Sequence, residues 1–170
     1  MNRLYSKFSF YLLCTSVLLL TCSAPLAAQE SSEAAIIKKA ATSKFTAVPN
    51  APACITVAVD RGDPATGPSV MLTRFAAGCT VPWHWHTPNE QLMIVSGVLR
   101  IEMKGEKPVV QRAGDFALMP ARHVHRATCV GAPCVFFLSS DGPFDVHYAG
   151  PNGEEITLAE AQKQSKRGKL

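Results

Sequence analysis

A chain of 170 residues with 47% apolar and 18% charged side chains is long enough for one buried core and too apolar to be a disordered polymer. Its formal charge of +4 comes from 17 basic and 13 acidic residues. The basic residues form no stripe interleaved with aromatics, which excludes a nucleic-acid surface, and Lys163, Lys166, Arg167 and Lys169 gather in a solvated tail.

The first segment reads as a leader. Arg3 and Lys7 precede an apolar run from Phe8 to Leu20, interrupted only by Ser9, Cys14, Thr15 and Ser16, and a small-residue stretch runs from Ser23 to Ala28. This is the layout of a secretory signal peptide over residues 1–28, with cleavage expected after Ala28. The run is too short for a stable membrane span. A lipid on Cys22 is the alternative, although Leu20-Thr21 is a poor lead-in for one. The mature protein is expected to be exported, periplasmic or secreted. Arg3 and Lys7 leave with the leader, so 15 basic residues face 13 acidic ones afterwards.

Four of the six cysteines remain after processing: Cys54, Cys79, Cys129 and Cys134. An even number in an oxidising compartment favours disulfides. Cys129 and Cys134 flank Val130-Gly131-Ala132-Pro133, a turn sequence between two β-rich runs, where a bridge would close a hairpin. The alternative is a pair of small buried thiols. A Cys54–Cys79 bridge follows only by subtraction.

Residues 29–49 form an N-terminal arm. Ser32 to Lys44 carries Ala, Ile and Lys at helical spacing, so a short helix or an unstructured exported end both fit. From Cys54 the pattern changes to short β-rich runs divided by Gly and Pro turns. They are Ile55–Val59, Val70–Phe75, the run through His84, Gln91–Val95, Val98–Met103, Val109–Gln111, Phe116–Met119, His123–Thr128 and Cys134–Ser139. Many short strands at this spacing predict an all-β antiparallel sandwich or barrel over residues 50–148. Residues 149–170 hold a C-terminal helix and the basic tail. Thr157-Leu158-Ala159-Glu160 has the capping-box pattern, which starts that helix at Leu158 and carries it toward Ser165.

Chemistry concentrates in two runs. In the first, Gly78 to Gly97, His84 and His86 are two apart, which puts them on one face of a strand with Trp83 and Trp85 on the other. Glu90 follows after Thr87-Pro88-Asn89, close enough to return a carboxylate to the same ion. Imidazoles with one carboxylate suit a divalent transition metal better than calcium or magnesium. The second run, Gly114 to His125, adds His123 and His125.

Together the two runs resemble the motifs of the cupin superfamily, in the form of small single-domain bacterial members. A glycine, five residues, HxH, three residues, glutamate, six residues and a glycine are met at every fixed position from Gly78 to Gly97. In the second motif Gly114, Pro120 and His125 match, while Arg122 stands where a glycine is expected and Cys129 where an asparagine is expected. The resemblance implies an antiparallel jelly-roll, or double-stranded β-helix, with short N- and C-terminal helices. It implies one divalent ion (Fe, Mn, Ni, Cu or Zn) on His84, His86, Glu90 and His125, with Glu90 as candidate catalytic base, a small-molecule ligand, and a homodimer as the default assembly.

The departures carry their own expectations. Arg122 should take its turn without positive φ or bear strain. His123 shares a face with His125 if the strand is regular, and is assigned with Arg122 to the rim of the site. His147 reads as a surface histidine. Trp83 and Trp85 serve either an interface or packing against the second sheet or the N-terminal arm. Leu92, Ile94, Phe116 and Leu118 are candidates for the barrel wall, where they would favour a flat aromatic or otherwise apolar substrate; ordinary core packing is the alternative use. Two classes of function follow: a metal-dependent, dioxygenase-like oxidoreductase, or a non-catalytic cupin that binds or senses a ligand or metal. A sugar isomerase-type cupin is a third.

Overall fold

The strands alternate between a buried and a half-exposed face, and this alternation fixes the architecture. Cys134–Ser140 is buried at every second position and half-buried between, the signature of a strand with one face in a core. The computed structural model describes residues 34–167. The expected leader (residues 1–28) and Lys169 lie outside them.

Among the described residues twelve strands form two antiparallel sheets. In chain order they are β1 (Thr46–Ala47), β2 (Ile55–Gly62), β3 (Ser69–Phe75), β4 (Thr80–Trp85), β5 (Glu90–Ser96), β6 (Leu99–Met103), β7 (Val109–Gln111), β8 (Phe116–Met119), β9 (His125–Cys129), β10 (Cys134–Ser140), β11 (His147–Ala149) and β12 (Glu155–Ile156). The first sheet runs β1-β2-β3-β10-β5-β8 and the second β12-β11-β4-β9-β6-β7. Consecutive strands thus alternate between sheets from β3 to β6 and again from β7 to β11, which is the jelly-roll, double-stranded β-helix arrangement. Between the sheets lies one core, in which Phe75 and Phe136 meet edge to face at 5.0 Å beside Leu92, Leu99 and Leu138. Gly97 must be glycine at the turn from β5 to β6. Its φ is +85°, and a Cβ there would come within 2.6 Å of the Pro133 carbonyl oxygen.

Two disulfides fasten the chain, Cys54 to Cys79 and Cys129 to Cys134. The second closes the β9–β10 hairpin, and both its cysteines are fully buried.

Several expectations need correction. Within residues 34–44 no α-helix forms; a single 3-10 turn, Ala40–Thr42, precedes β1. Ile36 and Ile37 stay exposed, so no apolar face is buried there to stabilise a helix, and Lys39 supplies no capping side chain. Instead Lys38 Nζ donates to the Val59 carbonyl, and Phe45 lies under the Arg74 guanidinium. Strand β8 points the opposite way from the wall assignment. Phe116 and Leu118 are 56% and 50% exposed, while Met119 and the half-buried Ala117 face the core. Pairing of Leu92 with Ala117 and Glu90 with Met119 sets this parity, and a β-strand turns successive residues to opposite faces.

Both tryptophans find partners on the second sheet itself. Trp83 lies under Arg126, and Trp85 stacks on His147 at 4.0 Å, both on the outside of the second sheet. Arg126 is itself held by a fork of two hydrogen bonds to the buried Glu102, at 2.7 Å each. The C-terminal helix α1 (Leu158–Arg167) starts where the capping box puts it. Glu160 Oε2 accepts from the Thr157 amide, and Thr157 Oγ1 accepts from the Glu160 amide. Its Ala161 is buried in the core cluster. Among the described residues no helix is long and apolar enough to cross a membrane.

Candidate metal centre

The centre is built across both sheets. In the second sheet the register pairs His84 of β4 with His125 of β9 on one side and with Tyr148 of β11 on the other. His86 stands just past the end of β4, yet its ring turns inward as His84 does. Glu90 opens β5 in the first sheet and reaches the same point. All four are buried. One ligand atom from each of His84, His86 and His125 lies within 4.8 Å of the others, a cluster able to hold a metal ion. Glu90 Oε2 is 3.2 Å from His125 Nε2 and 3.5 Å from His86 Nε2.

Each imidazole is aimed by the main chain. His84 Nδ1 meets the Pro82 carbonyl at 2.7 Å, His125 Nδ1 meets the His123 carbonyl at 2.9 Å, and His86 Nδ1 meets the Asp145 carbonyl. A carbonyl only accepts, so each Nδ1 carries the proton and, in the neutral rings, each Nε2 is left with its lone pair. The Nε2 of His86 is buried with no hydrogen-bond partner. An unsatisfied lone pair beside a carboxylate, in a cluster of imidazoles, fits a divalent transition ion.

The electrostatics point the same way. Burial, and after it the neighbouring His125 and His86, push the His84 pKa well below the usual imidazole value. Burial also opposes charge on His86, but Glu90 outweighs it and the pKa is raised. Burial would likewise lift the Glu90 pKa, yet His86 and His125 hold it below the ordinary carboxylate range. The carboxylate therefore stays ionised and draws positive charge into the cluster.

Arg122 takes the strained branch of the expectation, with a positive φ of +60°. It keeps the backbone a glycine would take there because its amide donates to the His86 carbonyl at 2.8 Å and its guanidinium lies 5.1 Å over Trp85. His123 lies in the turn before β9, which begins only at His125, so the two histidines do not share a strand face. His123 serves through its carbonyl. His147 is at the surface between Asp145 and Glu155.

Three contributors escaped the sequence reading. Asp145 accepts from the Thr87 amide through its carboxylate while its carbonyl aims His86. Asn89 ties Ala121 to Asp141, closing the rim. Phe144 stacks on His86 at 4.5 Å. Phe144 and Asp145 act from a loop distant in sequence, and Asn89, although next to Glu90, acts through partners 32 and 52 residues away.

The cluster opens on a cavity of about 70 Å³ inside the barrel. Its wall is mostly apolar, with Val57, Met71, Leu92, Met119, Phe136 and Leu138 among the lining residues. Apart from the cluster, the polar side chains lining it are Thr73 and Tyr148, and no Lys or Arg does so among the described residues. The Tyr148 hydroxyl donates to the Asn50 carbonyl, and burial raises its pKa to about 12.

Residues 71–140 match the model of the Cupin domain family. Three solved structures are similar at low identity. DMSP lyase DddQ from Ruegeria pomeroyi DSS-3 is 17% identical over 72% of this chain and 75% of that one, with a TM-score of 0.56. KdgF from Halomonas sp. is 19% identical over 65% of this chain and 94% of its own, with a TM-score of 0.53. The structures of the DMSP lyases RdDddP and RnDddQII give 19% identity and a TM-score of 0.50 over 56% of this chain; it spans about half, 53%, of that chain. These likenesses show a shared fold. No curated protein matches the sequence.

Proposed function

The chain belongs to the cupin superfamily, and on that premise we propose that it is a metal-dependent, dioxygenase-like oxidoreductase acting on a small, mainly apolar organic molecule. The observation that carries the reading is the locking of all three Nδ1 atoms by main-chain carbonyls, which leaves the Nε2 atoms of one cluster to a single ion. His84, His86 and His125 would hold iron, manganese, nickel, copper or zinc, with Glu90 as the fourth ligand. When bound, such an ion supplies Lewis acidity and, if redox-active, reactivity toward dioxygen.

The chain's own residues supply the remainder. The apolar wall excludes water from the reacting atoms. Glu90, ionised between His86 and His125, is the group placed to accept a proton from a molecule bound at the cluster. The wall offers no cation for a phosphate and only two hydroxyls, one of them already bonded, which favours a small ketone or diketone over a sugar phosphate. A cavity of about 70 Å³ is also smaller than the ~150 Å³ engineered cavity that accepts benzene, which favours a slim substrate over the flat aromatics the sequence suggested.

Export belongs to the same reading, supported by disulfides that use all four cysteines beyond residue 28. So does a homodimer, supported by Val95, Phe116 and Leu118 standing exposed on the outer face of the first sheet.

The test is elemental mass spectrometry on untagged wild type and His86→Ala, followed by oxygen-electrode assays with acetylacetone and related small diketones on wild type and Glu90→Gln. We expect about one equivalent of ion, lost in His86→Ala, and oxygen uptake lost in Glu90→Gln. A folded wild type without metal overturns the reading. Bound metal with no oxygen uptake replaces it with the non-catalytic ligand-binding cupin.

A further inference from the structure

Thr73 on β3 is 1% exposed, lines the cavity, and its hydroxyl has no hydrogen-bond partner. A buried hydroxyl without a partner is costly, and native cores rarely keep one that nothing satisfies. The strand neighbours of Thr73 are Val57 and Phe136, with Ile94 beyond, so its own sheet offers it no polar side chain at this level. The metal cluster sits at another level, where Glu90 pairs with Ser140. Ile94 stands four positions beyond Glu90 on β5, about 14 Å at ~3.4 Å per residue. The level between them holds Met71, Leu138 and Leu92. The cavity therefore has two polar levels with an apolar level between them, and Ile55 and Phe75 line it beyond Thr73.

We propose that Thr73 is the second recognition point for the ligand: a slim molecule with one anionic head at the cluster, an aliphatic body, and an uncharged oxygen at its far end that pairs with the Thr73 hydroxyl. This rests on the reading of the cluster as a metal centre and adds the shape and polarity of what binds there. The absence of lining Lys or Arg leaves a second charge on the ligand without a counter-ion, so dicarboxylates and phosphate esters are rejected. A polyol is rejected as well, because one free hydroxyl cannot satisfy several buried ones.

Calorimetric titration tests this. Straight-chain carboxylates from butanoate to octanoate, and the same acids with a keto oxygen on the penultimate carbon (acetoacetate, levulinate and longer homologues), are titrated into wild type and Thr73→Val. Both proteins are loaded with cobalt(II), whose visible absorption reports separately whether the cluster holds the ion. At one chain length the keto acid should bind wild type about tenfold more tightly than its parent, and this preference should vanish in Thr73→Val. Thr73→Val should melt at the same temperature or higher, since it removes an unpartnered hydroxyl. A keto preference at no chain length, or one that Thr73→Val retains, overturns the proposal. So does a Thr73→Val protein that melts several degrees lower with its ligand preferences unchanged, because the hydroxyl is then structural. Missing cobalt bands would sink the metal reading alone, and the keto preference, read against the parent acid of the same length, would still judge Thr73.

Discussion

Arg122 shows how a single residue can hold a backbone conformation that its side chain disfavours. A left-handed φ costs an L-residue roughly 1 kcal/mol, and more when the side chain is β-branched. Its amide bond to His86 and its cover over Trp85 offset that cost. We expect Arg122→Gly to stay within about 0.5 kcal/mol of wild type, since relief of strain is balanced by a freer unfolded chain and the lost contact. Arg122→Val should destabilise by about 2 kcal/mol in urea unfolding. The sequence announced this position, because an arginine stands where the second motif has glycine, but not how the chain resolves it. That depends on a carbonyl 36 positions earlier in the chain.

At the scale of elements, legibility followed the range of the interactions. The spacing of His84, His86 and Glu90 is local, and so was readable. The facing of Phe116 and Leu118 was not, because the register of β8 against β5 decides it and nothing within four residues reveals the register. Polar clusters on the second sheet give two predictions. Glu102→Ala should cost about 1 to 2 kcal/mol by freeing Arg126 and Arg100, measured by thermal unfolding, while Glu102→Gln should cost less. His147 bridges β11, β12 and the loop before them. Burial opposes its charge, but bonds to Glu155 and Asp145 outweigh this and raise its pKa. The stabilisation is therefore full below pH 6.5 and lost as pH rises through the elevated value. The melting temperature of His147→Gln should converge on that of wild type between pH 6 and pH 9, the wild type being the more stable at the acid end.

For the molecule as a whole, an all-β sandwich or barrel was legible from the count and spacing of short strands and its jelly-roll form from the motif resemblance, whereas the N-terminal helix was an error of propensity. A stretch with helical spacing stays unhelical when no surface receives its apolar side. The disulfides act at this scale too. By loop-closure entropy the Cys54–Cys79 bridge, with 25 residues of separation, should contribute about 3.5 kcal/mol, and Cys129–Cys134, with five, about 2 kcal/mol. Paired Cys→Ser variants compared by denaturant unfolding should rank in that order.

The carbonyls of Pro82, His123 and Asp145 have a further consequence. Every amino acid has a carbonyl, so the aim of the three imidazoles is encoded in the path of the main chain rather than in the identity of any supporting side chain. Replacing those residues leaves the acceptors in place as long as the path survives. The barrel can therefore change its lining, and with it the molecule it admits, one substitution at a time without rebuilding the grip on the ion. Such a scaffold lets chemistry diverge quickly while its centre stays the same.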